Sequence, residues 1–147
     1  MSVFYNTILI CLHIILMEVE KMYETITTNI MVKNVKETIQ FYEEKLGFQK
    51  VLSVPEEGEV LNFAILVKDK ISIMLQEQTN LLEEYPTLKT GEIVPTFTLF
   101  ITVNNVEEMY QNLKEKVKIA KELHKTFYGK DEFAIFDNNG NILTISC

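Results

Sequence analysis

The chain has 147 residues, 47% of them hydrophobic and 24% charged. That balance excludes collagenous, low-complexity and disordered chains, and the length fits one compact domain whose core needs no disulfide or metal staple. Lys and Arg number 14 against 21 Asp and Glu, a formal net charge of −7, which would repel a phosphate backbone and argues against a nucleic-acid partner. Two cysteines, Cys11 and Cys147, stand near opposite ends without a CxxC pair, which points to a reducing, cytoplasmic compartment. The only two histidines, His13 and His124, leave a zinc site short of ligands.

Residues 1–17, MSVFYNTILICLHIILM, do not resemble the rest of the chain. The apolar stretch Thr7–Met17 is shorter than the roughly 20 residues a membrane-crossing helix needs, and it lacks the basic start and small-residue cleavage site of a signal peptide. Three readings are open: a short buried or membrane-surface helix, a degenerate export segment, or a mis-assigned translation start. The third is favoured, because Met17-Glu18-Val19 is encoded ATG-GAR-GTN and accommodates GGAGGT, a bacterial ribosome-binding sequence, shortly before Met22. Residues 1–21 are therefore set aside as an extension, and 22–147 are taken as one domain.

Within that domain the sequence repeats itself. A shift of 71 residues lays Ile26–Lys45 on Phe97–Lys116 with nine identities in twenty positions, among them Thr27/Thr98, Ile30/Ile101, Asn34/Asn105 and Glu37/Glu108. Each copy opens with a strand pattern, Ile26–Val32 or Phe97–Val103. Asn34 or Asn105 then supplies a helix cap, with Glu37 or Glu108 three residues on. Helical spacing continues at Val35, Ile39, Tyr42 and Leu46, closed by Gly47, and at Val106, Met109, Tyr110, Leu113 and Val117. Three further strands are predicted in each half: Lys50–Val54, Val60–Val67 and Ile71–Glu77, then Lys118–Leu123, Glu132–Phe136 and Asn141–Ser146. Asp137-Asn138-Asn139-Gly140 provides the last hairpin turn. The reading is two βαβββ modules, about 26–77 and 96–146, joined by a linker over 78–95 in which Thr79–Tyr85 forms a short helix.

Paired βαβββ modules of this kind resemble the vicinal oxygen chelate superfamily of glyoxalases, extradiol dioxygenases and bleomycin-resistance proteins. The residues that carry the resemblance are ITTNIMVKNVKETIQFYEEKLGF and EFAIFDNNGNILTIS. The second matches the family turn D-P-x-G-N and its last strand, with Asn138 in place of proline. The resemblance implies an α+β fold of two half-barrels around a cleft. It also implies metal-ligand positions on the first and last strands of each module, which fall here on Thr27, Met74, Thr98 and Thr144. Neutral hydroxyls are feeble ligands for divalent metals and a thioether prefers soft ones, so no metal or other cofactor is expected. Only Asn29 and Gln76, two residues away on the same faces, offer further oxygen.

The side-chain period of two puts Thr27, Asn29 and Met31 on one strand face, and likewise Ser72, Met74 and Gln76, Thr96, Thr98 and Phe100, and Ile142, Thr144 and Ser146. Such mixed apolar faces with hydroxyls and amides suit a small-molecule cleft, although solvated threonine faces are the simpler alternative. The resemblance implies that Tyr128-Gly129 is an aromatic-Gly pair bordering the cleft, and a turn glycine with a packed tyrosine is the equal alternative. Glu132 is the nearest carboxylate, either a contact for a cationic ligand or a solvated surface glutamate. His124 is read as an exposed loop residue beyond its strand. The leading expectation is a metal-free, dimeric, small-molecule-binding protein of the bleomycin-resistance type, sequestering an antibiotic or a metabolite. The alternatives are a lyase or isomerase with an atypical metal site and a non-catalytic regulatory domain.

Overall fold

The computed structural model describes residues 25–88 and 91–147; the N-terminal extension, with Cys11 and His13, lies outside the described residues. The order is β1 (Thr28–Val32), α1 (Val35–Leu46), β2 (Gln49–Val54), β3 (Phe63–Lys68), β4 (Ile71–Glu77), α2 (Gln78–Glu84), a 3-10 turn at Pro86–Leu88, β5 (Thr98–Thr102), α3 (Val106–Leu113), β6 (Ile119–Lys125), β7 (Asp131–Phe136) and β8 (Ile142–Ser146). Two four-stranded sheets result, ordered β1-β4-β3-β2 and β5-β8-β7-β6. In each, the first strand pairs in parallel with the last and the remaining neighbours are antiparallel. This is the α+β, twofold βαβββ architecture that the repeat predicts. Among the described residues, no helix is long and apolar enough to cross a membrane.

The repeated local signals fold alike. Asn34 Oδ1 accepts from the Glu37 amide and Asn105 Oδ1 from the Glu108 amide, each at 3.1 Å. The Asn34 and Asn105 amides then donate to the Glu37 and Glu108 carboxylates at 3.0 Å, so each helix opens on a reciprocal cap. Gly47 ends α1 in the left-handed conformation, φ 70°, where a side chain would be strained. No glycine succeeds α3, which stops at Leu113; the Val117 amide still reaches the Leu113 carbonyl at 3.1 Å, so Val117 packs from a turn rather than from the helix.

The alternation of burial sorts each sheet into two faces. Ile30, Val32, Ala64, Leu66, Ile73 and Leu75 of the first sheet, and Phe133, Ile135, Leu143 and Ile145 of the second, are buried in one hydrophobic cluster with Val35, Ile39, Tyr42 and Leu46 of α1 and Val106 and Leu113 of α3. At about 25 cal/mol per Å² of apolar area removed from water, this continuous core dominates stability and holds the two modules as one unit. A polar pin reinforces it. Asp137, in the β7–β8 turn, accepts from the Tyr42 hydroxyl of α1 at 3.1 Å, and Asn138 and Asn139 donate to Thr38 Oγ1 at 3.1 and 2.9 Å.

Strand boundaries depart from expectation by two or three residues at the starts of β1 and β3 and at the end of β6. The strand predicted from Val60 begins at Phe63, because Pro55 has no amide to extend the β2–β3 ladder past the Val54–Phe63 pair. The Asn62 amide closes the loop on the Val54 carbonyl at 2.7 Å. β6 runs two residues beyond Leu123, because the β6–β7 ladder continues to the pair Lys125–Asp131, which a 3.0 Å ion pair and a tight Thr126–Lys130 turn support. His124 is accordingly a half-buried strand residue opposite Glu132, with Nδ1 2.9 Å from the Glu122 carbonyl, and not an exposed loop histidine.

Candidate ligand-binding site

The faces of the sheets turned away from the helices carry the residues singled out in the sequence. On the first sheet Asn29 stands beside Met74 and Met31 beside Gln76 in the β1–β4 register. Thr27 lies just ahead of β1, its hydroxyl 3.2 Å from that of Ser72. The neighbouring β3 residues on this face are Phe63, opposite Gln76, and Ile65, opposite Met74. On the second sheet Phe100 stands beside Thr144 and Thr98 beside Ile142, with Ala134 opposite Thr144 and Glu132 opposite Ser146. The ten residues thus fall into two groups, one per sheet, and no hydrogen bond among the described residues joins the groups.

The two groups differ chemically. In the first, the Asn29 amide donates to Gln76 Oε1 at 2.7 Å, while Gln76 Nε2 donates to Asn80 Oδ1 at 2.8 Å and Glu84 Oε2 at 3.1 Å. Gln76 is buried and its hydrogen-bonding capacity is largely taken up. Met31 is half-buried under the linker, in a cavity of about 310 Å³ with Leu88, Ile93, Pro95 and Phe97. In the second group Phe100 is 61% exposed, a large apolar side chain open to solvent. Tyr128, at the tip of the β6–β7 hairpin, donates its hydroxyl to Glu132 Oε1 at 2.6 Å. That bond, more than desolvation, holds the Tyr128 phenol above its ordinary pKa, because ionisation would set an oxyanion against the carboxylate. Glu132 is itself only 7% exposed, so the solvated-glutamate alternative is corrected. Its position opposite Ser146 turns it to the same face as Thr144, and the hairpin folds Tyr128 over it.

A half-open cavity of about 530 Å³ lies elsewhere, where Ile26 and Thr28, Ile71 and Ile73 of β4, and Leu99–Asn104 meet Tyr42, Leu46 and Phe48. Of the ten predicted residues it takes in only Phe100. The other nine lie outside it, Met31 in the cavity under the linker and the rest on or beside the faces of the two sheets.

The metal positions implied by the fold do not fit a metal. Thr27 is engaged with Ser72, Met74 offers a thioether, and Thr98 and Thr144 offer neutral hydroxyls. Of the two nearby amide oxygens, that of Gln76 already accepts from Asn29, and that of Asn29 is a neutral donor. Among the described residues no group of three or more His, Cys, Asp or Glu side chains is placed to hold an ion. This donor set lacks the anionic or imidazole ligands that divalent first-row metals require.

Two βαβββ modules with an open face on each sheet define a vicinal-oxygen-chelate fold. The chain belongs to the Glyoxalase/Bleomycin resistance protein/Dioxygenase superfamily, whose family model matches residues 25–145. A comparison with curated proteins finds no match. Similar solved structures include TioX from Micromonospora sp. ML1, at 13% identity and TM-score 0.66, covering 84% of this chain and 98% of that one. A lactoylglutathione lyase from Agrobacterium tumefaciens is similar at 14% identity and TM-score 0.65, covering 84% and 93%. A glyoxalase/bleomycin resistance protein/dioxygenase family enzyme from Burkholderia phytofirmans PsJN stands at 18% identity and TM-score 0.65, covering 82% and 94%. At these identities the likeness speaks to fold alone.

The registers put on common faces the residues that the sequence groups together, because period-two alternation is a local property. Sequence reasoning missed that Glu132 is buried and that His124 faces it across the strand pair. The available signal was the Lys125/Asp131 charge pair flanking Thr126–Lys130, which marks a longer hairpin.

Proposed function

We propose that this protein is a metal-free small-molecule-binding member of its superfamily that works as a homodimer and sequesters its ligand rather than transforming it. The observation that carries the reading is the donor set at the four metal positions, Thr27, Met74, Thr98 and Thr144, together with the commitment of Gln76 to Asn29. Ligand contacts are assigned to Asn29, Met31, Met74 and Gln76 on one sheet and to Thr98, Phe100, Tyr128, Glu132 and Thr144 on the other. A wall of Met, Phe and Thr with a few amides and one carboxylate suits an organic ligand with apolar and polar parts. Support for a dimer comes from the open faces and from edge strand β2, where Val51, Leu52 and Val54 are 58%, 44% and 50% exposed. Apolar edges and faces of this kind are normally covered. A twofold pairing would enclose two equivalent clefts.

The test is a thermal-shift screen of the full chain against a panel of antibiotics and metabolites, run with and without EDTA. A ligand at 100 times its dissociation constant should stabilise by about 2.7 kcal/mol whether or not chelator is present. Stabilisation that vanishes with EDTA and returns with Zn or Mn would overturn the metal-free reading.

A further inference from the structure

Glu132 is more than nine-tenths buried, yet its carboxylate, which has about four lone-pair sites, accepts one side-chain hydrogen bond, from Tyr128 at 2.6 Å. Among the described residues no Lys, Arg or His nitrogen lies within 4.0 Å of it; ion pairs instead join Lys36 to Glu59, Lys45 to Glu44 and Lys125 to Asp131. His124, its cross-strand neighbour, is held by the Glu122 carbonyl. A carboxylate recessed in a sheet face with no cation beside it keeps lone pairs that a ligand can use. The other buried carboxylate, Asp137, makes the contrast: it accepts from the Tyr42 hydroxyl, the Asn139 amide and both the main-chain and side-chain amides of Asn141. Four hydrogen bonds take up the acceptor capacity of Asp137, whereas Glu132 keeps capacity to accept more.

Its surroundings match an organic cation. Glu132 shares its sheet face with Thr144 and Phe100, and Tyr128, 54% exposed, reaches it from the hairpin tip. Phe127, fully exposed, packs edge-on to Tyr128 with ring centroids 4.9 Å apart. Aromatic rings beside a carboxylate are the elements that recognise an ammonium or amidinium, through the charge-assisted hydrogen bond and the ring faces together. We propose that Glu132 anchors a positively charged group of the ligand, an ammonium or amidinium borne on an apolar body, with Tyr128 yielding its hydrogen bond as the ligand enters. The inference rests on the binding reading above and adds the ligand's charge.

The experiment uses the full chain, isotope-labelled, titrated by NMR with benzamidine and with its neutral isostere benzamide. Benzamidine is expected to bind at least tenfold more tightly and to shift the amides of Tyr128, Glu132 and Ala134. In Glu132→Gln, which keeps the side-chain size and an acceptor for Tyr128, the preference should fall to within twofold. His124→Lys places an ammonium opposite Glu132 and should likewise erase the preference while raising the melting temperature; His124→Gln should leave the preference intact. Benzamidine binding no tighter than benzamide, or a preference that survives both Glu132→Gln and His124→Lys, overturns the proposal. A neutral ligand from the screen whose binding is lost in Phe100→Glu but unaffected by Glu132→Gln would overturn it too, while leaving the small-molecule reading standing.

Discussion

Removing the Tyr42 hydroxyl tests how the two modules are held together. The ring is 1% exposed and its hydroxyl donates to Asp137 across 95 residues of sequence, from α1 to the β7–β8 turn. Tyr42→Phe keeps the ring and its edge contacts with Phe41 and Phe48 but deletes a donor to a buried carboxylate that retains three other partners. A hydrogen bond to a charged group contributes about 1.5–3 kcal/mol, which in a domain of this size is a fall of about 5–15 °C in melting temperature. The loss should depend on pH. Burial first, then the Asp137 charge and hydrogen bond, push the Tyr42 phenol far above its ordinary value near 10. A raised folded-state pKa means the contribution is complete below the unfolded value and is lost as pH climbs through 10 toward the folded value, by up to about 1.4 kcal/mol per pH unit. Urea unfolding of both proteins at pH 7, 9, 10 and 11 should give similar m-values and a stability gap that is constant to pH 9 and then narrows. A gap under about 0.5 kcal/mol at pH 7, or one unchanged between pH 9 and 11, would refute the argument.

Other outcomes are expected from the same structure. Protein purified without chelators should carry far less than one equivalent of Ni, Zn, Fe or Mn by elemental analysis; near-stoichiometric metal lost on Thr27→Ala or Thr98→Ala would contradict the donor-set argument. Phe100→Glu and Met74→Lys should abolish stabilisation by any ligand found in the screen, whereas Lys36→Ala, which removes only the exposed ion pair with Glu59, should not. Light scattering at micromolar concentration should give a dimer mass, and a monomer would remove that part of the proposal. A chain beginning at Met22 should unfold within a few degrees of the 147-residue chain, and a large drop in melting temperature or solubility would show that the apolar extension packs against the domain.

How much was legible in the sequence depends on the range of each interaction. The Asn34 and Asn105 caps, the Gly47 terminus and the alternation of β1, β4, β5 and β8 are set within a few residues, and all were readable. The β3 start depended on Pro55 ending a ladder with a partner strand, and the length of β6 depended on Asp131 answering Lys125; both need the pairing before they can be placed. Gln76 illustrates the same limit within the site. Its type and face were evident, but its partners Asn29, Asn80 and Glu84 come from a second strand and from α2, so its commitment to them was not.

The internal repeat separates what the fold requires from what the face does. Superposing the two registers pairs Ile30 with Ile101, Val32 with Val103, Ile73 with Leu143, Leu75 with Ile145, Ala64 with Phe133 and Leu66 with Ile135 on the helix-covered side. Every one of those pairs is apolar in both copies, as burial under a helix demands. On the opposite side the pairs are Asn29 with Phe100, Met31 with Thr102, Met74 with Thr144, Ile65 with Ala134, Phe63 with Glu132 and Gln76 with Ser146. Four of these six exchange polarity, Ile65/Ala134 exchanges size and Gln76/Ser146 stays polar, while Thr27 and Thr98 ahead of them are identical. If these faces served only to be solvated or only to be covered, the same residue types would suffice in both copies. An amide network on one sheet, and an exposed phenylalanine sharing a face with a carboxylate on the other, are instead two chemically different halves. Two such halves suit the recognition of an asymmetric molecule, one end held by amides and apolar side chains and the other by Glu132 and its aromatic neighbours.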